Sequence, residues 1–381
     1  MGKFLSIDFN EKRIYGLDIL RAAAIMVVVF SHAAPLLPNK VAKFQEFFLF
    51  DGVFLFFVLS GFLIGTILIK VLAKNGASFK VLKEFWIRRW FRTIPTYFLI
   101  LTLLIILAYL FHGGINNVNP FPYYLFLQNF SYPNPAFFPE SWTLSVEEWF
   151  YLIIPSSVFI LAGVFKIPTK KAILAVIISI IISSIFIRLY KYSVHPPVSV
   201  NEWDMVFRKE VITRLDSLVF GVLGAYLALF HRAVWIRYKK ILFIVGLSLL
   251  IITHVISMYI TSGSNISVQS YGIYLSVFSF TVTALAIFML LPFLSEYKSG
   301  KGFIFKAVTY ISVSSYSMYL IHLSLIQPFT IWLFGENINR FEILIRLMLY
   351  LALTILCSIL LYKYYEKPTT SLREWFANRK R

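Results

Sequence analysis

The chain has 381 residues, of which 59% are hydrophobic, 18% aromatic and only 14% charged. A water-soluble protein carries about a quarter charged residues, so a mean hydropathy of +0.76 excludes a cytosolic fold of one or two water-facing domains. The formal charge of +18 would suggest nucleic acid in a soluble chain; in a membrane protein it reports basic cytoplasmic loops and anionic lipid, and no nucleic-acid partner is expected.

Apolar runs occur at 17–37, 46–71, 94–111, 142–165, 172–190, 208–230, 240–261, 270–295, 305–334 and 342–365. A helix crosses a bilayer with about 20 apolar residues. Only helices or closed barrels satisfy backbone polar groups in lipid, and these runs are too long for barrel strands. The fold class is therefore all-α, an integral membrane bundle of about ten transmembrane helices. The first run imitates a signal peptide, with Lys12 and Arg13 before it and His32-Ala33-Ala34 after it. Arg21 within it, and the runs that follow, favour an uncleaved first helix.

Placing the N-terminus inside puts about 25 Lys and Arg in the inner loops and tails, from Lys3, Lys12 and Arg13 to the tail after Lys363, against about six outside. So uneven a split predicts both termini in the cytoplasm and a multi-pass protein of the inner (plasma) membrane. The longest outer loop, 112–141, holds the stretch FPYYLFLQNF, which reads as lying along the interface. No repeat or second soluble domain appears, so 1–381 reads as one integral-membrane domain. Cys357 is the single cysteine and lies in an apolar run. That excludes an intrachain disulfide and a Cys-rich zinc site, and no metal is expected.

Ionisable side chains inside a membrane are expensive and mark function by default. The first helix carries Asp18, Arg21 and His32. Eleven residues separate Arg21 from His32, which returns to nearly the same face about 16 Å further along the axis. Arg88, Arg89 and Arg92 close the loop before the third helix, which Pro95 would open; guanidinium forks at a helix start suit a polyphosphate, and lipid headgroups would suit them too. The fourth helix begins WTLSVEEWFY, with Ser145, Glu147 and Glu148. The two carboxylates differ by about 100°, so one of them faces an interior cavity. In the sixth helix Arg214 and Asp216 lie about 200° apart and each needs a partner elsewhere. His322 ends SYSMYLIH near mid-membrane, where a helix-bridging packing histidine is the plain reading.

Together these residues resemble acyltransferase family 3, the bacterial membrane O-acyltransferases. The matches run through LDILRAA with Arg21 and His32, FFVLSGFLIG at 56–65, RRWFRTIP at 88–95, WTLSVEEWFY at 142–151, RLDSLVFG at 214–221, SYSMYLIH at 315–322 and YYEKP at 364–368. Thr143 stands where the family often has Ser. Phe54 stands where it often has an acid, with Asp51 one turn earlier. The resemblance implies an enzyme that moves an acyl group, often acetyl, from cytoplasmic acyl-CoA to a hydroxyl of a carbohydrate, glycolipid or small molecule, with no permanently bound cofactor. It implies His32 as base or acyl carrier, Glu147 orienting its ring, Arg21 on the donor and Arg88, Arg89 and Arg92 on the CoA phosphates. Direct transfer and an acyl-histidine intermediate stay open, as do monomer and homo-oligomer. The alternative is a secondary transporter of an anionic or glycolipid substrate. Such transporters usually show paired broken helices in two repeated halves, and none is visible in this sequence.

Overall fold

The computed structural model describes residues 13–115, 118–262, 272–335 and 339–378. Lys3, Lys12 and the last three residues of the basic tail lie outside them. Ten helices follow the apolar runs. They are α1 Tyr15–His32, α2 Gly52–Asn75, α3 Phe79–His112, α4 Trp142–Phe159 and α5 Thr169–Val194, then α6 Leu215–Phe230, α7 Lys239–Ser262, α8 Ser279–Leu294, α9 Gly302–Ile321 and α10 Arg340–Leu361. No strand occurs among the described residues. Among the described residues, nine helical segments are long and apolar enough to cross a membrane, and α6 is a shorter apolar one. The bundle is therefore the all-α multi-pass membrane fold that the composition requires.

At the centre, α2 and α6 pack along glycines. A Cβ on Gly61 would lie 1.8 Å from the Leu218 carbonyl oxygen, and one on Gly221 would lie 2.1 Å from that of Val58. Small residues let backbones meet where lipid offers no hydrophobic drive between helices. With 16 residues, α6 rises only about 24 Å, short of the hydrocarbon thickness. It tolerates this because most of its side chains are buried in protein and not in lipid.

Three boundaries differ from the sequence reading. First, α3 does not start near Pro95. It starts at Phe79, capped by the Ser78 hydroxyl accepting from Val81 N–H, and carries Pro95 inside. Nearby carbonyls find other donors, Thr93 O from the Tyr316 hydroxyl at 2.7 Å and Pro95 O from the Tyr365 hydroxyl at 3.4 Å. The arginine cluster is thus on a continuous helix, with no helix start beside it. Second, the sixth run does not begin its helix at 208. Arg208 belongs to a separate wide turn, Asp204–Arg208, and Arg214 is the residue just before α6. Third, the FPYYLFLQNF stretch is folded into the bundle, not laid along the interface. Tyr123, Phe126, Gln128 and Asn129 are buried. The Asn129 amide donates to Trp142 O at 3.1 Å and Lys209 O at 2.6 Å, and the Trp149 indole donates to Phe126 O at 2.9 Å. Those bonds tie the stretch to α4 and to Lys209.

Past Ile321, α9 runs through a wide π-type turn, His322–Ile326, into the helix Gln327–Phe334. Such turns inside α-helices re-aim side chains and are frequent at functional sites.

Candidate active site

Two cavities meet near the middle of the bundle, and the α1 stripe faces both. The first has a volume of about 110 Å³ and is lined by Arg21 of α1, Arg89, Arg92 and Thr93 of α3, and Glu147 of α4. It lies toward the bundle end where α1 begins. The second, of about 380 Å³, lies toward the other end and is lined by His32, Asp51, Trp203, Arg208 and Phe280. Val53 borders both.

In the first cavity a single carboxylate faces three guanidinium groups. Arg89 stacks over the Tyr151 ring at 4.2 Å, donates to its hydroxyl and lies 3.9 Å from Glu147. The same hydroxyl donates to Glu147 Oε2 at 2.8 Å, one helical turn away, and pairs with Ser60 Oγ at 2.7 Å. Neither Arg21 nor Arg92 has a hydrogen-bonded or ion-paired partner among the described residues, so the cavity carries uncompensated positive charge. Arg88 points outward and is exposed. Glu148 faces away from the cavity, as the 100° offset requires, and accepts from Thr93 Oγ1 at 2.6 Å.

The second cavity holds the imidazole. His32 Nδ1 lies 2.8 Å from His322 Nε2, while His322 Nδ1 faces the Tyr319 carbonyl at 2.7 Å and the Met318 carbonyl at 3.1 Å. Carbonyl oxygens only accept, so neutral His322 carries its proton on Nδ1 and presents a lone pair at Nε2. The atom facing that lone pair, His32 Nδ1, then carries the second proton. His32 Nε2 is left with a lone pair. A chain of backbone carbonyl and two rings thus fixes which nitrogen of His32 is basic. Gln327 adds a donor to the His32 backbone carbonyl.

Glu147 does not touch His32; its carboxylate is taken by Tyr151 and Arg89 in the other cavity. The ring partner expected of an acid is His322, a candidate that the sequence alone does not join to His32. No local signal marks this contact, because the two histidines are 290 positions apart.

The remaining candidates, Asp18, Asp216, Arg214 and Ser145, line neither cavity. Asp18 receives the Arg13 fork, with Nε at 2.9 Å, and the Ser312 hydroxyl at 2.7 Å, tying α1 to α9. Asp216 pairs with Arg188 of α5 at 2.7 Å. Arg214 finds no such partner. It is fully buried, its guanidinium nitrogens make no hydrogen bond, and it stands over Phe54 at 4.2 Å and Phe280 at 4.5 Å. Ser145 is also fully buried, with an unbonded hydroxyl. At the mouth of the second cavity Asp51 caps α2 through Val53 N–H at 2.9 Å and receives Arg208 at 2.8 Å. Asp204 takes Arg208 at 2.7 Å and Lys209 at 2.6 Å. Burial works to raise the carboxyls of Asp51 and Asp204, but the cations beside them prevail and hold both below their ordinary values. Among the described residues no group of three His, Cys, Asp or Glu could hold a metal ion.

A family model described as an acyltransferase domain matches residues 14–363. The chain is 28% identical to the peptidoglycan O-acetyltransferase of Listeria monocytogenes, over 94% of its own length and 56% of that protein's. It is 26% identical to a Staphylococcus aureus protein named putative O-acetyltransferase, over 93% and 56%. A Bacillus subtilis protein named putative peptidoglycan O-acetyltransferase matches at 29% over 45% of this chain and 27% of its own. The chain thus spans about half the length of the first two relatives. No solved structure matches it.

Proposed function

The chain belongs to the acyltransferase family whose domain model it matches, and from that premise we propose that it moves an acetyl or other short acyl group from acyl-CoA to a sugar hydroxyl. The donor's phosphates bind Arg21, Arg89 and Arg92 in the first cavity, on the cytoplasmic side that the basic loops select. The acceptor approaches from the second cavity. Two of the similar proteins are named for peptidoglycan, which makes a cell-wall glycan the first acceptor to test.

The observation that carries this reading is the lone pair on His32 Nε2, fixed through His322 and set on the same helix as Arg21. In direct transfer, Nε2 takes the acceptor proton as the oxygen attacks the thioester carbonyl; the C–S bond breaks and the proton passes to the leaving CoA thiolate. In the two-step form, Nε2 attacks the thioester first, the C–S bond breaks and CoA leaves as its thiolate; the acceptor oxygen then attacks the acyl-imidazolium, the C–N bond breaks, and the hydroxyl proton passes to the thiolate. Either form needs the unprotonated nitrogen where the rings put it. Arg21 stays with the donor's phosphates, about 16 Å from His32 along α1.

The test is release of free CoA thiol from acetyl-CoA, with acetyl gained by a glycan, using the chain in nanodiscs. His32→Ala should fold and bind acetyl-CoA, yet lose about 10²–10⁴-fold in transfer, the range a positioned general base supplies. Near-normal transfer by this variant would sink the histidine mechanism. Glycan movement without thiol release would favour the transporter.

A further inference from the structure

Resting on the histidine pair as the acyl-transfer centre, we propose that Glu140 is a positioning residue for that pair. It lies in the short turn Pro139–Ser141 ahead of α4, and it is 2% exposed. Its carboxylate reaches across to the π-type turn that begins at His322. Oε1 accepts the Ser324 backbone N–H at 3.1 Å and Oε2 accepts the Ser324 hydroxyl at 2.6 Å. Its backbone carbonyl accepts the Tyr319 hydroxyl at 3.0 Å, and that hydroxyl also meets Thr143 Oγ1 at 2.8 Å. One residue therefore grips the chain three positions before His322 and again two positions after it.

The grip has a chemical consequence. His322 Nδ1 is held by the Tyr319 carbonyl, so the angle of the turn sets where Nε2 points. A wide turn has a looser hydrogen-bond ladder than the α-helix around it. Without Glu140, Ser324 N–H and its hydroxyl lose their acceptor, the turn relaxes, and His322 Nε2 drifts from His32 Nδ1. The tautomer of His32 is then no longer fixed. A buried carboxylate is costly to keep. Glu140 has no cation partner among the described residues, and its oxygens are given wholly to the turn.

The experiment is a double-mutant cycle on the full chain in nanodiscs, reading kcat, the KM for acetyl-CoA and the pH profile of kcat. Glu140→Ala should lower kcat roughly ten- to a hundredfold, the scale of a small misplacement at a reacting centre. The KM for acetyl-CoA should stay within about twofold, since a change confined to the transition state leaves ground-state binding alone. The acidic-limb midpoint of the pH profile should move, which a merely structural loss of folded protein would not do. Glu140→Gln should recover most of the rate, because its amide can accept from Ser324 N–H and donate to Ser324 Oγ. In a His322→Ala background, Glu140→Ala should have no further effect, as members of one unit are non-additive. An unchanged kcat and pH profile in Glu140→Ala would overturn the assignment, as would full additivity with His322→Ala. Should Glu140→Ala fail to fold, Ser324→Ala, which keeps the backbone donor, should still lower kcat, and a wild-type rate there counts against the proposal. His32→Ala runs in parallel. An active His32→Ala sinks the histidine reading itself, whereas an inactive one beside a normal Glu140→Ala sinks only the role of Glu140.

Discussion

The two cavities treat the cations in and beside them in opposite ways. Around the first, Arg21 and Arg92 stand without partners and Arg89 shares one carboxylate with a tyrosine hydroxyl. At the second, Arg208 and Lys209 are matched by Asp51 and Asp204 at 2.6–2.8 Å. Leaving guanidinium groups unpaired in a low-dielectric bundle costs free energy unless a ligand supplies the anion. Pairing them completes a scaffold and leaves the cavity for a neutral guest. On the proposed reading, the contrast separates a donor end that wants phosphates from an acceptor end that wants hydroxyls.

Breaking the comparison at its hinge gives the largest effect. His322→Ala should cost about 10²-fold in kcat, because His32 Nδ1 loses the acceptor that fixes its tautomer. Acyl-CoA affinity should not change, since His322 lines neither cavity. A variant that only loses yield or melting temperature, with full activity per folded molecule, would return His322 to a packing role.

The donor end comes next. Arg21→Ala with Arg92→Ala should weaken acyl-CoA binding by about 1.5–3 kcal/mol per lost charge-assisted contact. Lys replacements should recover part, because the fork is gone. Arg88→Ala, on an outward-facing residue, should stay within about 0.5 kcal/mol. Calorimetric titration with CoA reads all three. Equal losses for Arg88 and Arg92 would mean a lipid anchor and no phosphate cradle.

The smallest effect belongs to the paired end. Asp51→Asn keeps an α2 cap but removes the charge facing Arg208, and should cost about 1 kcal/mol at neutral pH. The Asp51 carboxyl is held below its ordinary value in the folded protein. Its contribution is therefore complete above the unfolded value of about 3.9 and is lost as pH falls through the lower folded value. Melting temperatures of the two proteins should converge under acid. A gap that persists there would assign the loss to something other than this ion pair.

The bundle was legible because each helix in lipid must be apolar for its whole crossing, and composition alone shows that. The start of α3 was not, since Arg88 to Arg92 look like a loop until a cavity exists to receive them. Helical phase then decides that Arg89 and Arg92 turn inward and Arg88 outward, and the same 100° logic correctly parted Glu147 from Glu148. The histidine pair and the Glu140 contact join segments 290 and 184 positions apart. No periodicity reports such distances. Asp216 was rightly expected to look elsewhere for a partner, but nothing in the spacing indicated an aromatic cage for Arg214.

Val53 borders both cavities, and an apolar partition between two polar spaces bears on how a membrane voltage would fall across the protein. Voltage drops over the low-dielectric stretch of its path and little within polar vestibules, so it concentrates on this partition. Driving one elementary charge through 100 mV costs about 2.3 kcal/mol. In the proposed reaction the donor's phosphates would stay with the arginines, and only an uncharged acyl group would pass the partition. On the proposed reading, transfer between the cavities would move no net charge, and the thioester alone would supply the work of modifying the acceptor.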